Sequence, residues 1–300
     1  MSYLNQLLAV DVIDIIPYIL EMYGDELGIS NLDELELEFE KLLDIKARKR
    51  RYLLTDLIIS NIKHDEGLSV IIKGRKGVGK STYMIKTTVQ YFMQYMGLDP
   101  GEAYFETLKR IIHTAREFRI GIHRYRDILL WDDAGVWLST YFWYDRDMRP
   151  YLIWFLNWYD TSRTTIHNLI FTTLTPKKLP PRVREDIEAI HARVRRVGSK
   201  YIDNKMFKVS NAHLILIDEY DYSTQTYSED IGEDQFVVFL PEPCYKIYRV
   251  LRKAYDVLAE QKLSIILREK GLLGSDELGS NIPVSYIYDD NDDEEGDHID

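Results

Sequence analysis

Residues 74–81 read Gly-Arg-Lys-Gly-Val-Gly-Lys-Ser, directly after the β-rich apolar run Leu68-Ser-Val-Ile-Ile-Lys73. The octet matches G-x-x-x-x-G-K-[ST] in full, a pattern that needs a strand before it and a helix after it. Ser81 to Met96 reads as that helix. Asp127–Trp131 and Asn168–Thr173 are two further buried strands, and Pro150 to Tyr159 reads as a helix between them. Strands alternating with helices imply a parallel sheet covered on both faces.

The rest of the chain is arranged around this core. Helical periodicity runs from Leu4 to Met22 and from Asn31 to Leu43, where Asn31 and Glu34 have the spacing of a helix start. Tyr52 to Ile62 reads as a further helix. His191–Val197, Ala212–Ile217 and Gln235–Leu240 look like successive strands, either an antiparallel extension of the sheet or a small β appendage. Pro243 to Lys270 is a long amphipathic helix. The expected fold is α/β: a P-loop NTPase with a mostly parallel sheet flanked by helices, a helical N-terminal segment and a β-rich C-terminal extension. The expected boundaries are 1–65 for the helical segment, 66–190 for the P-loop core, 191–272 for the β extension and its helix, and 273–300 for a flexible acidic tail.

Composition excludes several classes. The chain of 300 residues holds one cysteine, Cys244, so neither a disulfide framework nor a cysteine metal site is available. No uncharged apolar run is long enough to span a bilayer, and no basic region precedes the first apolar residues, so a soluble, cytoplasmic protein without a membrane role is expected. The net charge of −11 is mostly a tail, because residues 289–300 hold eight acids. Nucleic acid is therefore not excluded as a partner.

The loop residues carry the most specific chemistry. Gly74, Gly77 and Gly79 let the backbone of Gly74, Arg75, Lys76, Gly77, Val78 and Gly79 turn its N–H groups inward, an anion nest at a helix N-terminus. Lys80 is positioned to reach the β- and γ-phosphates, Ser81 to coordinate Mg²⁺, and Thr82 completes the binding segment. ATP with Mg²⁺ is the expected ligand pair. Ile128-Leu-Leu-Trp-Asp132-Asp133 is an apolar strand ending in acids, which assigns Asp132 to Mg²⁺ and Asp133 to the attacking water as base. The bland alternative is that two acids cap a turn before Ala134-Gly135. Thr173, with Thr172 next, ends the third strand and is the candidate for orienting water or touching the γ-phosphate, against plain β-propensity. Arg182 and Arg184 are candidates for a finger acting on a neighbouring subunit's nucleotide. With Arg193, Arg195 and Arg196 they could equally contact DNA phosphates, or form a solvated basic face. The run Lys46–Arg51 invites the same alternatives.

The loop at 74–81, Leu-Leu-Trp-Asp-Asp-Ala-Gly at 129–135 and the Thr-rich third strand together resemble additional-strand (ASCE) ATPases. That resemblance implies that the Asp132 strand lies between the P-loop strand and its neighbour, with the Thr173 strand supplying a polar sensor. Residues 67–186 look like the bacterial helicase-loader and transposition-helper AAA+ ATPases. Two features depart from them: the sensor there is usually asparagine, and a helical lid would follow where this chain turns to β strands. The β-rich end is closer to DNA-pumping and virus-packaging ATPases, and this mixed look is familiar in viruses and plasmids of thermophilic archaea.

Two function classes remain at this point. One is an ATP-driven motor or switch on nucleic acid, in replication initiation, helicase loading or genome packaging, working as a homo-oligomer. The other is a small-molecule phosphotransferase, for which the arginines of Arg116–Arg126 would have to close a lid. Adjacent Asp132 and Asp133 favour hydrolysis by water.

Overall fold

A computed structural model describes residues 10–46, 51–136, 138–139, 149–161, 165–186, 189–202, 204–220 and 226–269. The run 47–50 and the acidic tail lie outside them.

The chain divides into two compact units, residues 1–39 with 245–300, and residues 40–244. The first contains α1 (Val10–Leu27), most of α2 (Leu32–Leu43) and most of the long α8 (Glu242–Glu269). Helix α2 starts where Asn31 implies, since its Oδ1 accepts from the Glu34 N–H at 2.9 Å. The Glu34 carboxylate reaches back to the Ser30 N–H at 2.7 Å. Ile15, Ile16, Ile19, Leu35, Phe39, Ile247 and Val250 are buried there. Lys246 pairs with Glu38 at 3.1 Å, and the Lys253 ammonium sits 3.9 Å from the centre of the Tyr23 ring.

The second unit is an α/β fold around one seven-stranded, mostly parallel sheet flanked by helices. Its strands are β1 (Leu68–Lys73), β2 (Ile111–Ile112), β3 (Ile128–Trp131), β4 (Asn168–Thr173), β5 (Ile190–Ile202), β6 (Lys205–Tyr220) and β7 (Thr226–Val237). Their order is β2-β3-β4-β1-β5-β6-β7. The first five pair in parallel, and β6 and β7 continue the same sheet antiparallel. The order corrects one expectation: β4, not the Asp132 strand β3, is the direct neighbour of β1 and separates it from β3. The last strand also lies earlier than its apolar residues suggest, at Thr226–Val237 rather than 235–240.

Helices α3 (Leu53–His64) and α4 (Lys80–Tyr91) cover one face, with α5 (Pro100–Leu108) packed on α4; α4 continues into a π turn at Phe92–Met96. The other face meets α6 (Ala115–Arg124) and α7 (Arg149–Thr161) through an aromatic cluster. Trp131 of β3 stacks on Phe118 of α6 at 4.8 Å and meets Phe155 of α7 edge-on at 5.6 Å. Together with Ile71, Leu129 and Phe171 these rings fix β1, β3 and β4 against the helices. Helix α3 has no side-chain cap of its own at Tyr52. Asp234 of β7 supplies one, accepting from the Leu53 and Leu54 N–H groups at 2.7 and 3.1 Å and from the Tyr83 hydroxyl at 2.5 Å. A charge at a helix start that satisfies two orphan donors ties β7 to both α3 and α4.

Candidate nucleotide site

Strand β1 ends at Lys73, and the loop turns into α4 at Lys80. Gly77 and Gly79 have φ of +76° and +96°, the left-handed region that aims successive N–H groups to one side. A Cβ at Gly74 would lie 2.6 Å from the Val194 carbonyl oxygen, so the approach of β5 allows only glycine at that point. Arg75, Lys76 and Gly77 are exposed, Val78 and Gly79 half-buried. Lys80 is buried, and its Nζ donates to the Arg75 carbonyl at 3.4 Å across the loop. Ser81 and Thr82 follow, half-buried, in the first turn of α4.

Opposite the loop, Asp132 sits one residue past β3 and is 1% exposed. Its Oδ1 accepts two hydroxyls, from Ser81 at 2.8 Å and from Thr172 at 2.5 Å. Trp131 pairs with Phe171, so the next step along the two strands sets Asp132 beside Thr172. Thr172 also accepts from the Asp133 N–H at 2.8 Å, so one hydroxyl holds both acids. Asp133 has φ +50°, a left-handed turn that aspartate tolerates better than most residues and that swings the chain out of β3. The Ala134 N–H then donates to the Thr172 carbonyl at 2.9 Å.

The structure thus brings together Lys80, Ser81, Asp132, Asp133 and Thr172. Thr173 lies on the other face of β4, where its hydroxyl bonds within the turn to Thr175 and packs where a side chain on Gly135 would stand. Arg182 and Arg184 are bonded elsewhere, to Asp160 at 2.6 Å and to Glu185 at 2.9 Å. No sequence signal separates Thr172 from Thr173, because only the β3–β4 register does so.

Two residues missed by motif reading hold the loop from the antiparallel half of the sheet. Ser210 of β6 donates to the Val78 carbonyl at 2.8 Å, and Lys208 to the Gly77 carbonyl at 3.2 Å. Past the end of β7, Val238 fills the space a side chain at Gly79 would take.

A hydroxyl and a carboxylate are hard oxygen donors suited to Mg²⁺. A buried ammonium and a glycine nest are suited to phosphate oxygens. The donor set therefore fits a Mg²⁺–nucleoside triphosphate.

No protein-family model matches the chain. It is 29% identical over 206 residues to the uncharacterized protein B-251 of Sulfolobus spindle-shape virus 1, covering 66% of this chain and 79% of that protein. Among solved structures, the flagellar accessory protein FlaH of Methanocaldococcus jannaschii matches with a TM-score of 0.31 and 10% identity, over 57% of this chain and 90% of FlaH. Among the described residues no helix is long and apolar enough to cross a membrane.

Proposed function

We propose that the protein is a Mg²⁺-dependent ATPase that works as a motor or switch on nucleic acid. The observation that carries the reading is the joining of Ser81 and Asp132 at 2.8 Å beside the glycine loop. Lys80 and the loop N–H groups would hold the phosphates, and Ser81 with Asp132 the Mg²⁺, which supplies neutralisation of charge on the phosphate oxygens. Asp133 would take the proton of the attacking water, held in place by Thr172 through its backbone. Arg182 or Arg184 would act on a neighbouring subunit's nucleotide in a homo-oligomer.

The phosphotransferase alternative lacks support, because residues 115–124 form helix α6, which leads into β3 instead of closing over the loop. A setting in replication initiation, helicase loading or packaging for a mobile element draws support from the viral relative.

The test is ATP turnover with and without Mg²⁺ and with single- and double-stranded DNA, followed by sizing with ATP present. The reading expects Mg²⁺-dependent turnover that rises with nucleic acid. Phosphate transfer to a small metabolite with no release to water would contradict it.

A further inference from the structure

Residues 193–208 hold six cations, Arg193, Arg195, Arg196, Lys200, Lys205 and Lys208, against one acid, Asp203, in a chain of net charge −11. They lie in the antiparallel ribbon of β5 and β6, which runs on past the last β1–β5 pair, Lys73 with Arg193. A register shift between Arg196 and Gly198 inserts one extra residue, Val197, into β5. Without that bulge, strand alternation would put Lys200 on the face opposite Arg193 and Arg195. With it, Arg193 (paired with His213), Arg195 (with Asn211) and Lys200 (with Phe207) share one face, joined by Lys205 of β6. Lys73 falls in line with them through its pairing with Arg193.

Among the described residues none of these cations pairs with an acid. Arg196 bonds to the Gly198 carbonyl and Ser199, Lys208 to Gly77, and Lys73 to His191. The acids on β7 nearest this face are engaged, Glu233 with Asn211 at 3.0 Å and Asp230 with His213 at 3.0 Å. Burial and the neighbouring Arg193 guanidinium push the Lys73 ammonium below its usual range, as expected where positive charge collects without a counter-charge. The ribbon also exposes apolar surface at its tip, with Tyr201 72%, Met206 61% and Val197 52% exposed.

We propose that the β5–β6 ribbon binds a nucleic-acid strand, its phosphodiester backbone lying along the face of Lys73, Arg193, Arg195, Lys200 and Lys205. The inference rests on the nucleic-acid reading above and names the surface that serves it. From Arg193 to Tyr201 the ribbon runs about 25 Å, and a two-stranded ribbon is narrow enough for a major groove about 12 Å wide. A row of cations without acid partners along one face suits a ligand with a repeat of negative charge. At the tip of the ribbon the exposed Tyr201, paired with Met206 on the opposite face, offers a stacking surface to a base of a strand that turns around the tip. An acidic protein would match the charge but gives no use to Tyr201. The same ribbon holds the nucleotide loop through Ser210 and Lys208, so nucleic acid on it and phosphate in the loop would press on one structural element.

The test is binding of labelled single- and double-stranded oligonucleotides by the full chain over a salt series. Arg195→Ala with Lys200→Ala should bind more weakly and lower the slope of log affinity against log salt by about 2, one per lost phosphate contact. Tyr201→Ala should weaken single-strand binding while leaving that slope unchanged. Lys63→Ala, an exposed cation on α3, is the control that should change neither, and unchanged ATP affinity in each variant would report an intact fold. If the wild type binds DNA and the double variant binds it equally with the same slope, the ribbon assignment fails while the nucleic-acid reading stands. If the wild type binds neither oligonucleotide even at low salt, that reading fails and takes the ribbon with it. Binding of polyglutamate as tight as that of DNA, lost equally in the double variant, would overturn the proposal in favour of an acidic protein.

Discussion

Ser81 and Asp132, 51 positions apart in the chain, are joined by a hydrogen bond of 2.8 Å from hydroxyl to carboxylate. The bond links the first turn of α4 to the end of β3 across the intervening β4. Asp132→Asn keeps the shape but turns a charged acceptor into a neutral amide. The expected outcome is that turnover loses its dependence on Mg²⁺ in the millimolar range, checked by titrating Mg²⁺ at saturating ATP. An unchanged Mg²⁺ midpoint would remove Asp132 from the metal site.

Asp133 separates binding from chemistry. Asp133→Asn should bind Mg²⁺–ATP as before and hydrolyse it roughly 10²-fold more slowly, the scale of a lost general base. Single-turnover rates at saturating protein check this, and a normal rate would place the base on another acid.

Thr172 and Thr173 give opposite expectations at adjacent positions. Thr172→Val removes the donor to Asp132 and leaves the Asp133 N–H without its acceptor, which should cost about 1–3 kcal/mol of stability and slow hydrolysis. Thr173→Val loses only two local turn bonds to Thr175, each of 3.3 Å, and should leave the rate within about twofold. Urea unfolding and turnover on both variants make the comparison. A larger loss of rate for Thr173→Val would restore the sensor role to it.

The motif half of the molecule was legible in the sequence because its signals are local. The Leu68–Lys73 strand, the loop and the Asn168–Thr173 strand each carry apolar runs and turn residues within a few positions. What was not legible depends on register and strand order. The spacing of residues 132 and 172 does not reveal that β4 lies between β1 and β3. Alternation alone could not select Thr172, because the choice follows from Trp131 pairing with Phe171. The grip of Ser210 and Lys208 on the loop, and the capping of α3 by Asp234, join residues 131 to 181 positions apart, a distance at which no pattern survives. The full extents of β6 and β7 are not legible because charged and polar residues interrupt the apolar periodicity of both strands.

His191 supplies a pH dependence. Buried beside Lys73, which donates to its Nδ1 at 3.3 Å, its pKa is lowered to about 4 by burial first and the lysine's charge second. The unfolded chain takes up a proton near pH 6.5 that the folded chain refuses until about pH 4. Stability contributed by neutral His191 is therefore complete above pH 6.5 and falls as pH drops toward 4, by an amount on the order of 3 kcal/mol. Urea midpoints for wild type and His191→Gln from pH 7.5 to 4.5 should converge as pH falls. Parallel curves would show that the imidazole is not held neutral.

The central claim is that residues 74–82 hold a nucleoside triphosphate, and the affinity of Lys80→Ala for Mg²⁺–ATP measures it most directly. Alanine is well accepted at the start of α4, so the fold should survive, with circular dichroism to verify it. Loss of a buried charge-assisted contact should weaken ATP binding by at least about tenfold. A folded Lys80→Ala protein that binds ATP with wild-type affinity would contradict the account.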